Sequence, residues 1–262
     1  MRKFLILLTI LACLLAGCSR DEAAAIPPET GAAPKAVILE TNPYTAEDFR
    51  WEGDRLVCRS GEAITGIDVS VHQGPIDWAA VAADGIAFAM VRVGYRGSDD
   101  GQLWEDVNAR ANLEGALAAG LDVGVYFFSQ ALTPEEARQE AQFVLDYIAG
   151  YDITMPVVFD WEHVEDPEAR TAAMFDRELL TDCALAFLEP VPAAGYRPMI
   201  YFNSYQSNEL LDLWLLRRNA FWFALYDGHM EFPWEISMWQ YTDCGTVDGI
   251  KEKVDLNLYF PE

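Results

Sequence analysis

Between residues 65 and 262 the chain alternates short apolar runs with segments in which apolar positions recur every three or four residues. Short runs rich in Val, Ile, Phe and Tyr are typical of buried strands, and the longer spacing is typical of amphipathic helices. The pattern predicts eight strands, at Gly66–Ser70, Ala87–Gly94, Asp122–Ser129, Pro156–Glu162, Pro198–Asn203, Phe221–Tyr226, Ile236–Tyr241 and Val254–Phe260.

Helical patterns separate the first six predicted strands. Thr133-Pro134-Glu135-Glu136 is a capping box with proline at the first helical position, and apolar residues recur after it as far as Ile148. Further helices are predicted at about Trp78–Ala83, Glu105–Ala119, Ala172–Leu188 and Ser207–Arg217. Alternating strands and helices predict an α/β fold with a parallel sheet. Eight strands predict its closure into a single β/α barrel with about five helices, helix-poor in its last third.

The first residues have the pattern of a processing signal. Two basic residues precede the apolar run Phe4–Leu15, which leads into Ala16-Gly17-Cys18. This arrangement resembles a bacterial lipoprotein signal, and the run is too short to span a bilayer. We expect residues 1–17 to be removed and Cys18 to be lipidated, which would hold the protein outside the cytoplasm on the bacterial membrane. An ordinary secretory signal is the alternative.

The composition predicts three further regions. Residues 18–43 are rich in Ala, Pro, Glu and Thr, which is typical of a flexible tether. Residues 44–64 form an N-terminal extension in which Phe49–Cys58 has the apolar-turn-apolar pattern of a hairpin. Residues 65–262 have the length of one domain, the predicted barrel.

Charge and cysteine count exclude several classes of function. The formal net charge is −24, and removing Arg2 and Lys3 with the signal would make it −26, so a nucleic-acid partner is not expected. Without Cys13 and a lipidated Cys18, three cysteines remain, which permit one disulfide at most. No His or Cys spacing resembles a metal site, so we expect no metal and no organic cofactor. Nothing in the sequence indicates an oligomer, and we expect a monomer.

The most specific chemical signal is a pair of acids at the end of the fourth predicted strand. Val157, Val158 and Phe159 are followed by Asp160-Trp161-Glu162. Since side chains alternate along a strand, Asp160 and Glu162 leave on one face with Cα atoms about 7 Å apart. The charge of one then raises the pKa of the other, and paired carboxyls with divided protonation are what glycosidic cleavage requires. The structural alternative is an acid pair that caps a helix or binds an arginine.

Other polar residues also lie where predicted strands end, which in a β/α barrel is the functional rim. The residues in such positions are Asp68, Tyr126, Asp160, Glu162, Tyr201, Asn203, Tyr226, Gln240 and Tyr241. Asp255 is an exception, because it lies at the start of its predicted strand. Tyr126, Tyr201, Tyr226, Trp239 and Gln240 are candidate sugar contacts, and the alternative for the aromatic residues is packing in the core. The acidic residues Glu135, Glu136 and Glu140 are expected to face solvent.

The segments that carry these residues resemble the family 25 glycoside hydrolases, the Chalaropsis-type lysozymes. The resemblance covers residues 65–262 and rests on GIDVSVHQGPIDW from Gly66, Phe159-Asp160-Trp161-Glu162, Met199–Asn203, Met238–Tyr241 and Val254–Asn257. It implies an N-acetylmuramidase on a β/α barrel, which hydrolyses the β-1,4 bond between N-acetylmuramic acid and N-acetylglucosamine in peptidoglycan.

The resemblance also implies roles for four acids. Glu162 would be the general acid, and Asp160 would stay ionised and stabilise positive charge at the anomeric carbon or the neighbouring acetamido group. Asp68 and Asp255 would hold substrate and tune the pair. The residues leave open whether an enzyme carboxylate, the acetamido group or a water attacks the sugar, and the resemblance favours the acetamido group.

One segment departs from the family pattern. Many members carry Lys-x-Ser/Thr-Glu-Gly after the second strand, where this chain has Arg92-Val93-Gly94-Tyr95-Arg96-Gly97. This keeps open a barrel hydrolase that acts on another polysaccharide. A catalytically silent barrel that binds peptidoglycan as a lipoprotein is the alternative from another class, although such a module would be free to lose Asp160 and Glu162.

Overall fold

Eight strands close into a barrel in a computed structural model of the chain, which describes residues 38–61, 63–226 and 228–261. The expected signal peptide, Cys18 and the tether as far as residue 37 lie outside the described residues. The strands are β1 (Phe49–Glu52), β2 (Arg55–Cys58), β3 (Ile64–Val69), β4 (Phe88–Arg96), β5 (Leu103–Glu105), β6 (Asp122–Ser129), β7 (Val157–Trp161), β8 (Pro198–Asn203), β9 (Ala220–Ala224), β10 (Met238–Gly245) and β11 (Val254–Tyr259). The helices are α1 (Trp78–Ala83), α2 (Ala109–Ala118), α3 (Pro134–Ile148), α4 (Arg177–Leu188) and α5 (Leu213–Leu216).

The barrel is closed by β3, which pairs with β4 on one side and with β11 on the other. The order around it is β3, β11, β10, β9, β8, β7, β6, β4. The predicted eight-stranded α/β barrel is confirmed, and its last third is poor in helices, but the sheet is not entirely parallel. β11 runs antiparallel to both β10 and β3, because residues 246–253 are too short to cross back to the other end of the barrel.

Helix boundaries follow local side-chain caps more closely than they follow the apolar periodicity. Thr133 caps α3 as predicted, and Asp77 caps α1. Each accepts a hydrogen bond from the backbone N–H of the third residue of its helix. The helix predicted from Ala172 begins at Arg177, where Asp176 caps it. The helix predicted at Ser207–Arg217 divides into a π turn, Gln206–Leu210, and the short α5, which Asp212 caps.

The helix predicted at Glu105–Ala119 also starts late. Residues Leu103–Glu105 instead form β5, which pairs with the end of β4, and α2 begins at Ala109. Asp106 lies between these elements and is 1% exposed, accepting hydrogen bonds from Arg92 and from the backbone N–H groups of Val71 and Asn108.

The core has two layers because strand side chains alternate between the two faces of the barrel wall. Outward residues such as Phe159 and Trp161 pack against the helices. Inward residues fill the barrel with large side chains, among them Phe88, Met90 and Trp222. The inner layer supports the polar rim above it.

The N-terminal extension packs on the barrel. β1 and β2 pair as an antiparallel hairpin, and Phe49 packs edge-on against Trp239 with ring centroids 4.9 Å apart. Asn42 N–H donates to Pro233 O at 3.0 Å, and Glu40 O accepts from Glu235 N–H at 2.8 Å. The last residues of the tether predicted at 18–43 are therefore held against the domain.

A buried ion pair contradicts one prediction for α3. Glu140 was expected to face solvent but is buried, and it accepts hydrogen bonds from Arg96 at 2.7 Å and from Ser129 at 2.6 Å. Arg96 comes from the end of β4, so a cation from the barrel wall offsets part of the cost of burying this acid, although burial still raises the pKa of Glu140 to about 7. Cys58, Cys183 and Cys244 are free thiols. In the part of the chain that is described, no helix has the length and apolarity needed to cross a membrane.

Candidate active site

A polar cleft of about 300 Å³ lies at the carboxyl end of the parallel strands. Every barrel strand contributes at least one side chain to it, and the lining residues are Asp68, Ser70, His72, Gln73, Arg92, Tyr126, Phe128, Asp160, Glu162, Tyr201, Trp222, Tyr226, Gln240 and Asp255. The four predicted acids and four of the five predicted sugar contacts are therefore brought together.

Asp160 and Glu162 enter the cleft from the end of β7. Phe159 and Trp161 face the helices, so strand alternation directs the two acids inward as predicted. Burial raises the pKa of Asp160 well above its ordinary value, and the charge of Glu162 adds to the rise. Burial likewise raises the pKa of Glu162, with a further contribution from the charge of Asp68. The pair therefore retains a proton at a pH where isolated carboxyls would both be ionised.

Asp160 is also incompletely hydrogen-bonded. It is 5% exposed, and its Oδ1 has no hydrogen-bond partner among the described residues. A buried carboxylate oxygen without a donor is costly, so this atom retains an unused capacity to accept a hydrogen bond.

Asp68 and Asp255 face each other across the antiparallel pair β3 and β11. Because β11 is reversed, the start of this strand lies at the carboxyl end of β3, which explains why Asp255 is part of the rim. Asp68 Oδ2 accepts hydrogen bonds of 2.8 Å from Gln240 Nε2 and from Asn257 Nδ2. Burial raises the pKa of Asp68 to about 6 and, together with the charge of Asp68, raises the pKa of Asp255 to about 9.

Tyr201 and Tyr226 are linked to this acid pair through Gln240. Both hydroxyl groups donate to Gln240 Oε1, at 2.9 and 2.8 Å, which orients the amide so that its nitrogen faces Asp68. Tyr226 is 47% exposed at the mouth of the cleft, whereas Tyr201 is buried. Tyr126 packs edge-on against Trp222 with centroids 6.2 Å apart.

The prediction that Trp239 contacts substrate is wrong. Its side chain is 0% exposed and lies on the outer face of β10, where it packs against Phe49 and donates its indole N–H to Leu225 O at 2.9 Å. Gln240, the next residue, faces the cleft, so alternation along the strand places the two side chains on opposite faces.

Asn203 also lies outside the lining of the cleft. Its side chain accepts a hydrogen bond from Gln206 N–H at 3.1 Å and stabilises the turn that follows β8.

Several residues in the cleft or hydrogen-bonded to its acids were not identified from the sequence. Asn257 follows Asp255 by two positions and therefore shares its face of β11, a signal that strand alternation could have supplied. Trp222 holds Asn257 through an indole hydrogen bond of 2.9 Å.

Arg92 lies in the segment that departs from the family pattern. It supplies a cation to the cleft, and its Nε donates to Asp106 at 2.8 Å. No local signal distinguished Arg92 from an ordinary strand residue.

The turn after β3 shapes the near wall of the cleft. Ser70 Oγ accepts a hydrogen bond from His72 N–H, and Ser70 N–H donates to Gln73 Oε1 at 2.8 Å. Gly74 ends this turn with φ of 65°, a conformation that glycine adopts without strain. His72 lies on this wall, while His163 is exposed outside the cleft and stacks on Phe175.

Comparison with known proteins identifies the family. The sequence profile of Glycosyl hydrolases family 25 matches residues 67–250, which is most of the chain. The chain belongs to glycosyl hydrolases family 25. The match includes Asp68, Asp160 and Glu162 and ends before Asp255.

Individual relatives agree with this assignment. The chain is 27% identical to Lysozyme M1 of Streptomyces globisporus over 212 residues, covering 75% of this chain and 67% of that protein.

Solved structures share the fold. The modular autolysin LytC of Streptococcus pneumoniae, solved with a synthetic peptidoglycan ligand, superposes with a TM-score of 0.68 at 23% identity, covering 83% of this chain. This chain spans 49% of that larger protein. A family 25 glycosyl hydrolase from Bacillus anthracis gives a TM-score of 0.61 at 21% identity, covering 76% of this chain and 89% of that one.

Proposed function

We propose that this family 25 glycosyl hydrolase is an N-acetylmuramidase that cleaves the β-1,4 bond between N-acetylmuramic acid and N-acetylglucosamine in peptidoglycan. Family membership supports hydrolysis of a glycosidic bond. The likeness to Lysozyme M1, and the peptidoglycan ligand bound to LytC, support the substrate. The observation that carries the proposal is the pair Asp160 and Glu162 in the lining of the cleft, with one buried Asp160 oxygen left without a hydrogen-bond partner.

Glu162 is the proposed general acid. It is the more exposed member of the pair and lies beyond the end of β7, so it can reach a leaving oxygen. Its raised pKa keeps the carboxyl protonated to a higher pH than that of an isolated glutamate. It donates its proton to O4 of the departing N-acetylglucosamine as the glycosidic C–O bond breaks.

Asp160 is proposed to orient the 2-acetamido group of N-acetylmuramic acid. An amide N–H bound to the unpaired Oδ1 would lower the pKa of Asp160, so substrate binding moves the proton of the pair to Glu162. The oriented acetamido oxygen then attacks the anomeric carbon and forms a cyclic oxazolinium ion. Water opens this ion, and its proton returns to the Glu162 carboxylate.

The other acids and the sugar contacts complete the proposal. Asp68, held ionised above its pKa of about 6 by the Gln240 and Asn257 amides, stabilises the positive intermediate. Asp255 retains its proton and limits the negative charge beside Asp68. Tyr126, Tyr201, Tyr226 and Gln240 line the cleft as sugar contacts.

We propose further that residues 1–17 are a signal peptide and that lipid on Cys18 anchors the enzyme outside the cytoplasmic membrane. The cleft would then reach the wall from the end of the tether. Replacing Cys18 by Ala should move the mature protein from the membrane fraction to the soluble fraction, as followed by immunoblot. An unchanged distribution would contradict the anchor.

Digestion of purified peptidoglycan tests the activity. The wild type should release fragments that end in reducible N-acetylmuramic acid, detected by mass spectrometry after borohydride reduction. Glu162→Gln should lower the rate at least about 100-fold, because general acid catalysis contributes that much or more. The control Glu165→Gln alters an exposed acid three residues along and should retain full activity. A folded wild type that binds peptidoglycan and releases nothing would favour a silent binding protein.

A further inference from the structure

The backbone at Glu162 lies beyond the last paired residues of the barrel sheet. The last pair between β6 and β7 is Ser129 with Trp161, and the last pair between β7 and β8 is Asp160 with Tyr201. Glu162 is the next residue, and residues 162–176 form neither helix nor strand. Sheet hydrogen bonds alone therefore do not determine the direction of the Glu162 side chain.

Two buried glutamines bind the carbonyl groups on either side of Glu162. Gln206 Nε2 donates to Trp161 O, and Gln130 Nε2 donates to Glu162 O at 2.8 Å. These oxygens belong to the two peptide planes that meet at the Glu162 Cα. Since a peptide is rigid and a residue has only two soft dihedrals, restraining both planes restrains φ and ψ of Glu162 and the direction of its Cβ.

The amide groups of both glutamines are themselves held in one orientation. Gln206 Oε1 accepts from Asn203 N–H at 2.8 Å, which leaves Nε2 to face Trp161 O. Gln130 Oε1 accepts from the Thr171 hydroxyl, while its Nε2 also donates to Ser129 O at 2.8 Å. Gln130 and Thr171 are 0% exposed and Gln206 is 3% exposed, so water does not compete for these bonds.

We propose that Gln130 and Gln206 are positioning residues that hold Glu162 in the orientation for proton donation. The inference rests on the proposed role of Glu162 as general acid. The two amides come from the ends of the strands that flank β7, Gln130 after β6 and Gln206 after β8, and they act on consecutive carbonyls. Neither glutamine is among the residues that line the cleft, and their hydrogen bonds go to backbone carbonyl groups at Glu162 and Trp161. Their effect on catalysis therefore passes through the backbone.

Replacement by glutamate tests this role with little change in shape. Gln130→Glu and Gln206→Glu each remove the N–H donor and place a carboxyl oxygen against a carbonyl oxygen. Hydrolysis of soluble peptidoglycan glycan fragments should fall about 10–100-fold in kcat, since a displaced acid loses much of its contribution, while KM stays within about threefold. Gln142→Glu on the exposed face of α3 is the matched control and should leave kcat unchanged.

A substrate with a good leaving group distinguishes a misplaced Glu162 from disruption of the whole active site. A 4-nitrophenyl glycoside of the same donor sugar leaves without an acid, so the variants should hydrolyse it within about threefold of wild type. The alkaline limb of the kcat profile should also move to lower pH. Burial raises the pKa of Glu162, and a released side chain would reach solvent and lose that rise. The charged and titratable groups that share the cleft with Glu162 are Asp68, His72, Arg92, Tyr126, Asp160, Tyr201, Tyr226 and Asp255.

Each outcome decides the question. The positioning role is supported if kcat falls on the glycan fragments but not on the 4-nitrophenyl glycoside, and if the alkaline limb of the kcat profile moves to lower pH. The variants must also keep the circular dichroism spectrum of the wild type. An equal fall in kcat on both substrates, or an unchanged kcat on the glycan fragments, overturns the positioning role. If the glutamate variants do not fold, Gln130→Met and Gln206→Met are measured in the same way, and failure of these to fold would make the amides supports of the fold only. An inactive wild type would refute the proposed function itself, and the inference would fall with it.

Discussion

At the scale of single residues, four carboxyl groups compete for protons in one cleft. Burial is the largest cause of the raised pKa at Asp68, Asp160, Glu162 and Asp255. One cation, Arg92, lies among them, and its Nε is bound to Asp106. The charged forms of these acids therefore oppose folding, while their chemistry requires that they be close. Placing the four acids in one buried cleft therefore lowers the stability of the fold.

Replacing Asp255 by Asn should make the protein more stable at neutral pH and less active. The raised pKa, about 9, keeps Asp255 protonated in the fold at pH 8, whereas the unfolded chain is ionised there. Asparagine avoids this protonation cost, so the variant should be more stable at pH 8 by at least about 1–2 kcal/mol. The gain should disappear below about pH 4, where Asp255 is protonated in the unfolded chain as well as in the fold. Thermal unfolding at both pH values measures it, with the exposed Asp152→Asn as control. A lower melting temperature at pH 8 would contradict the argument.

At the scale of elements, a buried ion pair joins β4 to α3. Arg96 binds Glu140 through Nε, and its terminal nitrogens donate to Gly101 O at 2.6 Å and Glu136 O at 2.8 Å. One guanidinium group thus holds the loop before β5, the strand and the helix together. Breaking a buried pair costs more than the pair contributes, because it leaves one charge without a partner.

Arg96→Met should destabilise the fold by about 3–5 kcal/mol, because Glu140 would remain buried without its cation. Urea unfolding at pH 7 measures the change. The control is Arg138→Met, which removes an exposed pair with Glu135 and should cost less than about 0.5 kcal/mol. The double variant Arg96→Met with Glu140→Met should recover part of the loss. Equal costs for Arg96→Met and Arg138→Met would show that the buried pair has no special role.

At the scale of the whole molecule, the net charge and the shifted pKa values of the acids together determine how stability depends on pH. The formal net charge is −24, so self-repulsion grows as carboxyls ionise. The cleft acids with raised pKa values bind more protons in the folded state than in the unfolded chain. Acids with lowered pKa values act in the opposite sense, such as Asp54, which accepts a hydrogen bond from Thr246.

Stability should therefore be highest in mildly acidic solution and fall as pH rises. Asp68 and Asp255 have raised pKa values of about 6 and 9, so their contribution to stability is fully present below about pH 4. This contribution is lost as the pH rises through those two values. For Asp54, with its lowered pKa, stability is present above about pH 4 and lost below it. The free energy of unfolding in urea should drop by about 2 kcal/mol between pH 5 and pH 8.5. A flat or rising profile over this range would contradict it.

The sequence by itself determined the strand framework and the central acid pair. Alternation within a strand depends only on backbone geometry, so the inward direction of Asp160 and Glu162 follows from the residues next to them. Length and periodicity likewise gave eight strands, and two of them, β6 and β8, have the predicted boundaries. The caps Asp77 and Thr133 were identifiable because a cap acts on the next three residues.

Only the tertiary structure decided which distant residues meet. Asp255 joins the rim because β11 is reversed, and pairing direction depends on the whole barrel. Trp239 belongs to the outer core because Phe49 covers it, and Glu140 is buried because Arg96 arrives from another strand. Gln130 and Gln206 reach the Glu162 backbone from neighbouring strand ends, a contact that no local pattern contains. Such contacts depend on three-dimensional packing, whereas local periodicity reports only which face a side chain occupies.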